Sequence, residues 1–373
     1  MNGSKGAEYY ALYNWLGKLS ANTNKIYNDI IGIFGNVKNA WEESGNAMLR
    51  NSCFSSETVT EKFYSEKLRE EALKQCEEAL KKGMIMLTPF DENYPSLLRE
   101  YSRKPFLLYC KGDVKGVNAS ENLIGVVGSR NCTAYGREVT KNLCSELSLY
   151  SFSIVSGFAR GIDTVAHKAA LGKGVFTVAV LGCGADVVYP GENRGLYNEI
   201  AERGLIISEQ PPGTEPFKQN FPARNRIIAG MSSGILVCEA GLGSGALITA
   251  QLANDDGRDV MAIPSNIDTA SGSGCNSLLK EGAYCITSHK DILRVYGIDE
   301  KDMTQGVFDI SALNDNEKAI YKYIEDKTGV CDSISEDTGL DIAKVRRILT
   351  TLEINGYITQ RCDGVYYSKN RKV

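Results

Sequence analysis

The sequence predicts an α/β protein: a doubly wound, mostly parallel sheet, preceded by a small helical domain and followed by a winged-helix module. Three observations point there. From Leu123 onward, short apolar runs rich in β-branched residues alternate strictly with helix-like stretches. Four of these runs end in small or glycine-rich turns. The chain closes on three short helix patterns followed by a hairpin signal.

At 373 residues, 43% hydrophobic and 24% charged, the chain can bury one large core and one or two small ones. A net charge of −4 excludes a protein that is basic throughout but leaves room for a local positive site. The longest apolar run, Val175 to Leu181, falls far short of the ~20 residues needed to span a bilayer, and the N-terminus lacks a signal-peptide pattern. A cytoplasmic protein without a membrane partner is expected. Eleven cysteines with no C-x-x-C pair, and only two histidines, suggest neither a disulfide framework nor a metal site.

Taken in order, residues 1–88 read as a helical domain, with apolar spacing at Tyr10, Trp15, Leu16 and Leu19 and again at Ile30, Ile33, Phe34 and Trp41. Ile31 to Asn36 resembles the hairpin of a SAM-like or helix-hairpin-helix unit, with a structural role expected. Glu61 to Lys82, rich in Glu, Lys, Leu and Ala, predicts one helix ended by Gly83. Residues 89–297 form the expected core. Tyr94-Pro95 and Lys104-Pro105 break the chain before a strand-like Phe106 to Cys110. Strands are then predicted at Leu123–Val127, Ser153–Ser156, Val175–Leu181, Leu205–Ser208, Ile235–Cys238, Asp259–Ile263 and Tyr284–Thr287.

In such sheets ligands bind beyond the carboxyl ends of the strands. There the sequence places Gly128-Ser129-Arg130, then Ser156-Gly157-Phe158-Ala159-Arg160-Gly161, then Gly182-Cys183-Gly184, then Glu239-Ala240-Gly241. A tight turn alone explains any one of these ends but accounts poorly for the set. Phe221 to Ala250 concentrates the same signal. Pro222 suits the first position of a helix, which would carry Arg224 and Arg226 in its first turns. Two cations at the positive end of a helix oppose its dipole unless an anion sits nearby, and a phosphate is the obvious candidate. Downstream, the turn Gly241, Gly243, Gly245 leads from the strand into the helical run Ala246 to Ala253.

A linker at residues 298–311 precedes the last module, 312–373. Helices are predicted at Glu317–Ile324, Ser333–Thr338 and Ile342–Ile354, then a hairpin from Ile358 to Tyr367 around Asp363-Gly364. This is the order of a winged helix-turn-helix. Such modules read duplex DNA with the third helix, here carrying Lys344, Arg346 and Arg347, or dock proteins; the residues alone leave both open.

The chain contains no G-x-x-x-x-G-K-[ST] loop and no G-x-S-x-G elbow, which argues against nucleotide cleavage by a P-loop and against a serine nucleophile. His167, among Val165, Ala166 and Ala169, reads as a packed structural histidine.

With these residues laid out, the chain resembles the bacterial DNA-processing protein A (DprA or Smf) family over nearly its full length. The resemblance is carried by Tyr94-Pro95 with Leu97-Leu98, Pro105 and Leu107; by Gly128-Ser129-Arg130 with Tyr135-Gly136; and by Ser156 to Asp163 with Ala166-His167. Tyr189-Pro190 with Asn193, Phe221-Pro222 with Arg224 to Gly230, and Ser244-Gly245 with Leu247 to Ala250 continue it in order. It implies an extended Rossmann-like core that binds single-stranded DNA without strong sequence preference, helps load the recombinase RecA in DNA uptake, natural transformation or recombination, and acts as a homodimer, with no cofactor and no catalysis. It makes Arg130 a phosphate contact, and Gly128, Ser129, Ser156 and Gly157 donors to phosphate. It makes Phe221 the aromatic on which a base packs and Arg224 and Arg226 parts of a basic rim, and it extends the site to Arg160, Asn225, Ser244 and Gly245. An aromatic platform in a positive groove is how single strands are held without reading sequence.

Three positions depart from the family pattern: Cys183 replaces a small polar residue, Ala223 stands where a lysine is common, and Ser265 where a glycine often follows the proline. Ala223 removes a charge from the expected groove. The competing class is a phosphoribohydrolase-like nucleotide-processing enzyme using Glu239 beside Gly241 and Gly243, although the P-G-G-x-G-T-x-x-E motif of such enzymes is absent.

Overall fold

The computed structural model describes residues 5–20, 22–46, 54–120, 122–298, 313–327, 329–355, 357–360 and 365–368. The chain divides into two compact units, Met1–Ile292 and Leu293–Val373. The first is built on a nine-stranded sheet: β1 (Ile85–Leu87), β2 (Leu108–Gly112), β3 (Asn122–Gly128), β4 (Phe152–Ser156), β5 (Thr177–Leu181), β6 (Leu205–Ser208), β7 (Gly234–Glu239), β8 (Asp259–Ala262) and β9 (Tyr284–Cys285). Their spatial order is β1-β2-β6-β5-β4-β3-β7-β8-β9. All neighbours from β6 to β9 are parallel, while β1 and β2 join antiparallel at one edge.

The seven strands read from the alternating pattern are all present. β4 and β5 are buried at every position, as continuous apolar runs in a doubly covered parallel sheet should be. Successive residues serve opposite faces. Val178 and Val180 join Val155, Val237, Ile227, Ile228 and Ala250 in one apolar cluster, under the helices Asn220–Met231 and Gly245–Asp255. Ala179 and Leu181 join Ile206, Leu196 and Ile200 in the other, under Arg194–Arg203.

The N-terminus is helical, as expected, in five segments: Ala7–Leu19, Thr23–Phe34, Val37–Ser44, Glu57–Phe63 and Glu66–Lys81. Trp15, Leu16, Ile30 and Phe63 form their shared core, while Ala11, Cys76 and Ala79 pack against the sheet. Three details correct the sequence reading. Glu61–Lys82 is not one helix, because the Ser65 hydroxyl accepts from Leu68 N at 3.3 Å and starts a new one. The turn after Ile33-Phe34 is only Gly35-Asn36: Gly35 adopts φ +78° and Asn36 accepts from Asn39 N at 2.8 Å, capping the next helix. The sheet begins before residue 88, since Ile85–Leu87 pairs with Leu108–Cys110. Three residues are too few to display an alternation.

The second unit contains the helices Asp315–Asp326, Cys331–Thr338 and Ile342–Ile354, then the antiparallel pair β10 (Ile358–Gln360) and β11 (Tyr366–Ser368). Asn314 and Glu317 form a capping box, and Ile320, Ile324, Val345, Leu349 and Ile358 close its own core. Lys344, Arg346 and Arg347 are exposed. The predicted linker, apart from Ile298, and the Asp363-Gly364 turn lie outside the described residues.

Candidate functional site

The chain runs from β3 toward β6 on one side of the sheet and from β7 to β9 on the other, so the carboxyl ends of β3 and β7 form the switch point where such sheets open a crevice. Three loops are tied together there. Ser129 N donates to Glu239 O at 2.7 Å, and Ile162 N donates to Ser129 O at 3.1 Å. Gly161 has φ +74°, and a Cβ on it would run into the Ser129 and Arg130 carbonyl oxygens. At Gly128 a Cβ would lie 2.6 Å from Ile162 Cγ1 and 2.9 Å from Glu239 O. The glycines are there because backbones approach this closely. Arg130 projects from the knot, exposed.

Beside it lies Phe221, in the first turn of Asn220–Met231. That helix starts two residues before the position expected from Pro222, which still sits in the first turn where no N–H is needed. Phe221 is half-buried and lies against the end of β5, so that a Cβ on Gly182 would come within 2.9 Å of its Cδ1. The Arg130 guanidinium carbon stands 5.4 Å from its ring centroid, and the Tyr189 ring is 5.7 Å away at 43°. Tyr189 is 43% exposed. Arg130, Phe221 and Tyr189 thus present a cation and two aromatic rings on one surface. Sequence reading passed over Tyr189 as a binding residue; an aromatic before a proline in the loop after a sheet strand was the available signal.

Arg224 is placed otherwise than expected. It is 7% exposed and turns inward, donating through Nη1 to Gly157 O at 2.6 Å and to Val180 O, and through Nε to Asn225 Oδ1 at 3.2 Å. It ties the carboxyl ends of β4 and β5 together and does not stand on a rim. Asp163, also buried, lies on the other side of Gly157, where a Cβ would meet Arg224 Nη2 and Asp163 Oδ2 both at 2.8 Å. Burial lowers the Arg224 pKa to about 10, which leaves it charged at neutral pH, and raises that of Asp163 against the pull of Arg224. The dipole conflict predicted for a cation in this first turn is therefore relieved by strand carbonyls and Asp163.

His167 is a structural histidine. Burial and the Arg224 charge push its pKa down to about 3. The Thr177 hydroxyl donates to Ile154 O at 2.9 Å, so at its 2.7 Å contact with His167 Nδ1 the hydroxyl oxygen accepts from an Nδ1–H.

The other expected residues fall into two groups. Arg226 is mostly buried and its Nη2 donates to both carboxylate oxygens of Glu209 at 2.6 and 2.7 Å, and the Ser156 hydroxyl is buried and donates to Val126 O at 2.6 Å. Gly157 is buried and its carbonyl is taken by Arg224. With Arg224 these make four residues turned inward, and the expected roles of rim cation and hydroxyl donor are corrected for Arg224, Arg226 and Ser156, whose hydrogen bonds go to partners inside the protein. Arg160, by contrast, is exposed and paired with the equally exposed Glu192, with Nη2 to Oε2 at 2.8 Å. Asn225 donates to Gly245 O at 3.3 Å, and Ser244 caps the helix Gly245–Asp255 by accepting from Ala246 N at 3.3 Å.

Glu239 is 4% exposed and its carboxylate accepts from Thr133 N at 3.1 and 3.2 Å and from the Thr133 hydroxyl. Thr133 in turn caps the helix Ala134–Leu147. The carboxylate serves as an anion at the helix N-terminus. Thr133, Tyr135, Pro264, Asn266 and Thr269 line a cleft of about 570 Å³ beside it.

Comparison with known proteins places these features in a family context. The sequence profile of the DNA recombination-mediator protein A family matches residues 85–297, and that of the DprA winged helix domain matches residues 309–364. The chain is 40% identical over 263 residues to protein Smf of Synechocystis sp., covering 70% of this chain and 66% of that protein. It is 44% identical over 203 residues to the DNA processing protein DprA of Streptococcus pneumoniae, covering 54% of this chain and 71% of that one. The X-ray structure of the Streptococcus pneumoniae protein superposes with a TM-score of 0.62 at 35% identity, over 75% of this chain and 97% of the other. A Helicobacter pylori DNA processing protein A, described for its single-stranded DNA binding mode, superposes with a TM-score of 0.52 at 31% identity, over 57% and 95%.

Proposed function

Because the chain belongs to the DNA recombination-mediator protein A family, we propose that it binds single-stranded DNA without reading its sequence, at the surface formed by Arg130, Phe221 and Tyr189. The observation that carries this reading is the Arg130 guanidinium 5.4 Å from the centre of a half-buried ring that also meets an exposed tyrosine. Arg130 meets a phosphate, and a base packs on the aromatic pair, a combination every nucleotide satisfies. The Ser129 hydroxyl, within 3.2 Å of Asn131 N, stands beside it. Binding rather than catalysis is supported by the commitment of Glu239 to Thr133 and by a histidine kept neutral in the interior.

Arg130→Ala should reduce the slope of log K against log salt for oligo-dT by about 0.7, the value of one single-strand phosphate contact. Arg226→Ala and Arg224→Ala should leave that slope unchanged, because their charges face protein partners. An unchanged slope in the Arg130 variant would remove this residue from the site.

The proposal extends to a homodimer that delivers the strand to the recombinase RecA during DNA uptake or recombination. Two linked sites on one strand make the second contact intramolecular. Sedimentation should show a species twice the 40.8 kDa of the chain; a monomer at micromolar concentration, or no acceleration of RecA assembly on the strand, overturns the extension.

A further inference from the structure

The helices Ala134–Leu147 and Ile162–Gly172 pack side by side and leave a surface groove of about 470 Å³ between them. Arg137 and Lys141 line one wall, four residues apart on one helix face, with Ser145 a further turn on; Lys168 and Lys173 line the other. All four cations are exposed and none makes an ion pair among the described residues. The carboxylates of the two helices pair with none of these cations among the described residues. Glu146 accepts from His289 at 2.7 Å, Asp163 is buried with Oδ2 3.2 Å from Ala159 N, and Glu138, exposed three residues before Lys141, makes no ion pair among those residues. Four unpaired cations in one groove repel one another and lower the local cost of taking up a polyanion, in a chain whose net charge is −4.

The groove is continuous with the candidate site. Gly161 belongs to its lining, and this glycine sits against the Ser129 and Arg130 carbonyls, at the base of the exposed Arg130. From there it follows the helices away from the carboxyl edge of the sheet. At ~1.5 Å per residue, Gly161 to Lys173 spans about 18 Å, room for roughly five phosphates at the ~3.4 Å stacked rise of one strand.

We propose that this groove is a second segment of the binding track, which carries the phosphodiester backbone of the same single strand onward from Arg130 through Arg137, Lys141, Lys168 and Lys173. The inference rests on the single-strand reading above and adds length to it: strands long enough to leave the aromatic surface gain contacts that short ones cannot reach. No aromatic side chain lines the groove, so it holds the backbone alone.

The test is a triple substitution, Lys141→Gln, Lys168→Gln and Lys173→Gln, at exposed positions that bear no packing role, titrated with oligo-dT of about 6 and about 20 nucleotides at several salt concentrations. For the long oligonucleotide the slope of log K against log salt should fall by about 2, from about 0.7 for each of three lost contacts, while the short one binds as to the wild-type chain. An unchanged long-oligonucleotide slope, with both lengths still bound by the wild-type chain, overturns the track. An equal loss for both lengths also overturns it, since the groove would then be part of the first site. Binding of neither length by the wild-type chain defeats the single-strand reading itself, and this inference with it.

Discussion

Arg224→Ala lowers the stability of the first unit by about 3–5 kcal/mol, the expected cost of removing one partner from a buried charged arrangement. Gly157 O and Val180 O lose their donor, and Asp163 is left buried without the cation that favours its ionised form. At ~2–4 °C per kcal/mol for a unit of this size, the melting temperature should fall by on the order of 10 °C. Arg224→Lys should recover only part of the loss, because an ammonium cannot reproduce the planar fork that reaches two strand ends. Oligonucleotide binding by the folded fraction, measured well below the transition, should keep the wild-type salt slope. A loss of stability below about 1 kcal/mol accompanied by a flattened slope would return Arg224 to the rim where the sequence alone put it.

Phe221→Ala has the opposite signature. Base stacking contributes ~1–3 kcal/mol per base, so affinity for oligo-dT should drop roughly five- to a hundredfold with no change of salt slope. The ring is half-buried and rests on Gly182, so some packing is lost as well, but the strand ends are held by Arg224 and by the Ser129–Glu239 and Ser129–Ile162 bonds. The melting temperature should therefore change far less than in Arg224→Ala. Tyr189→Ala should show a weaker form of the same loss, as the second ring of the pair. If Phe221→Ala instead unfolds the protein while retaining affinity below its transition, the ring is a core side chain and the platform is misplaced.

The two variants divide a helix turn that the sequence could not divide. Phe221 and Arg224 are three residues apart and lie on neighbouring parts of one helix surface, with the Arg224 guanidinium carbon 5.9 Å from the ring centroid. One ends as a half-buried ring at the surface and the other as an internal strut. Their chemistry by itself suits both for nucleic acid.

Much of the architecture was determined locally and so could be read from the sequence. Buried parallel strands need continuous apolar runs, and β3 to β8 advertise themselves that way. The repeated small or glycine-rich strand ends located the carboxyl edge of the sheet, and there the structure shows close approach at Gly128 and, just before the next helix, at Gly161. Local reading failed where a single side chain resets the backbone, as when Ser65 splits a helix-rich run, or where a segment is too short to carry a period, as in β1. What only the tertiary structure decided is the direction in which each charge faces. Arg226 meets Glu209, Arg224 meets carbonyls of β5 and of the loop after β4, and Glu239 meets Thr133 across more than a hundred residues of chain. Arg130, Arg137, Lys141, Lys168 and Lys173 meet no carboxylate among the described residues. A charge in a sequence is only a residue type; whether it binds a ligand or braces the fold depends on partners brought to it from distant strands, because a buried charge must be compensated where it lies and an exposed one need not be.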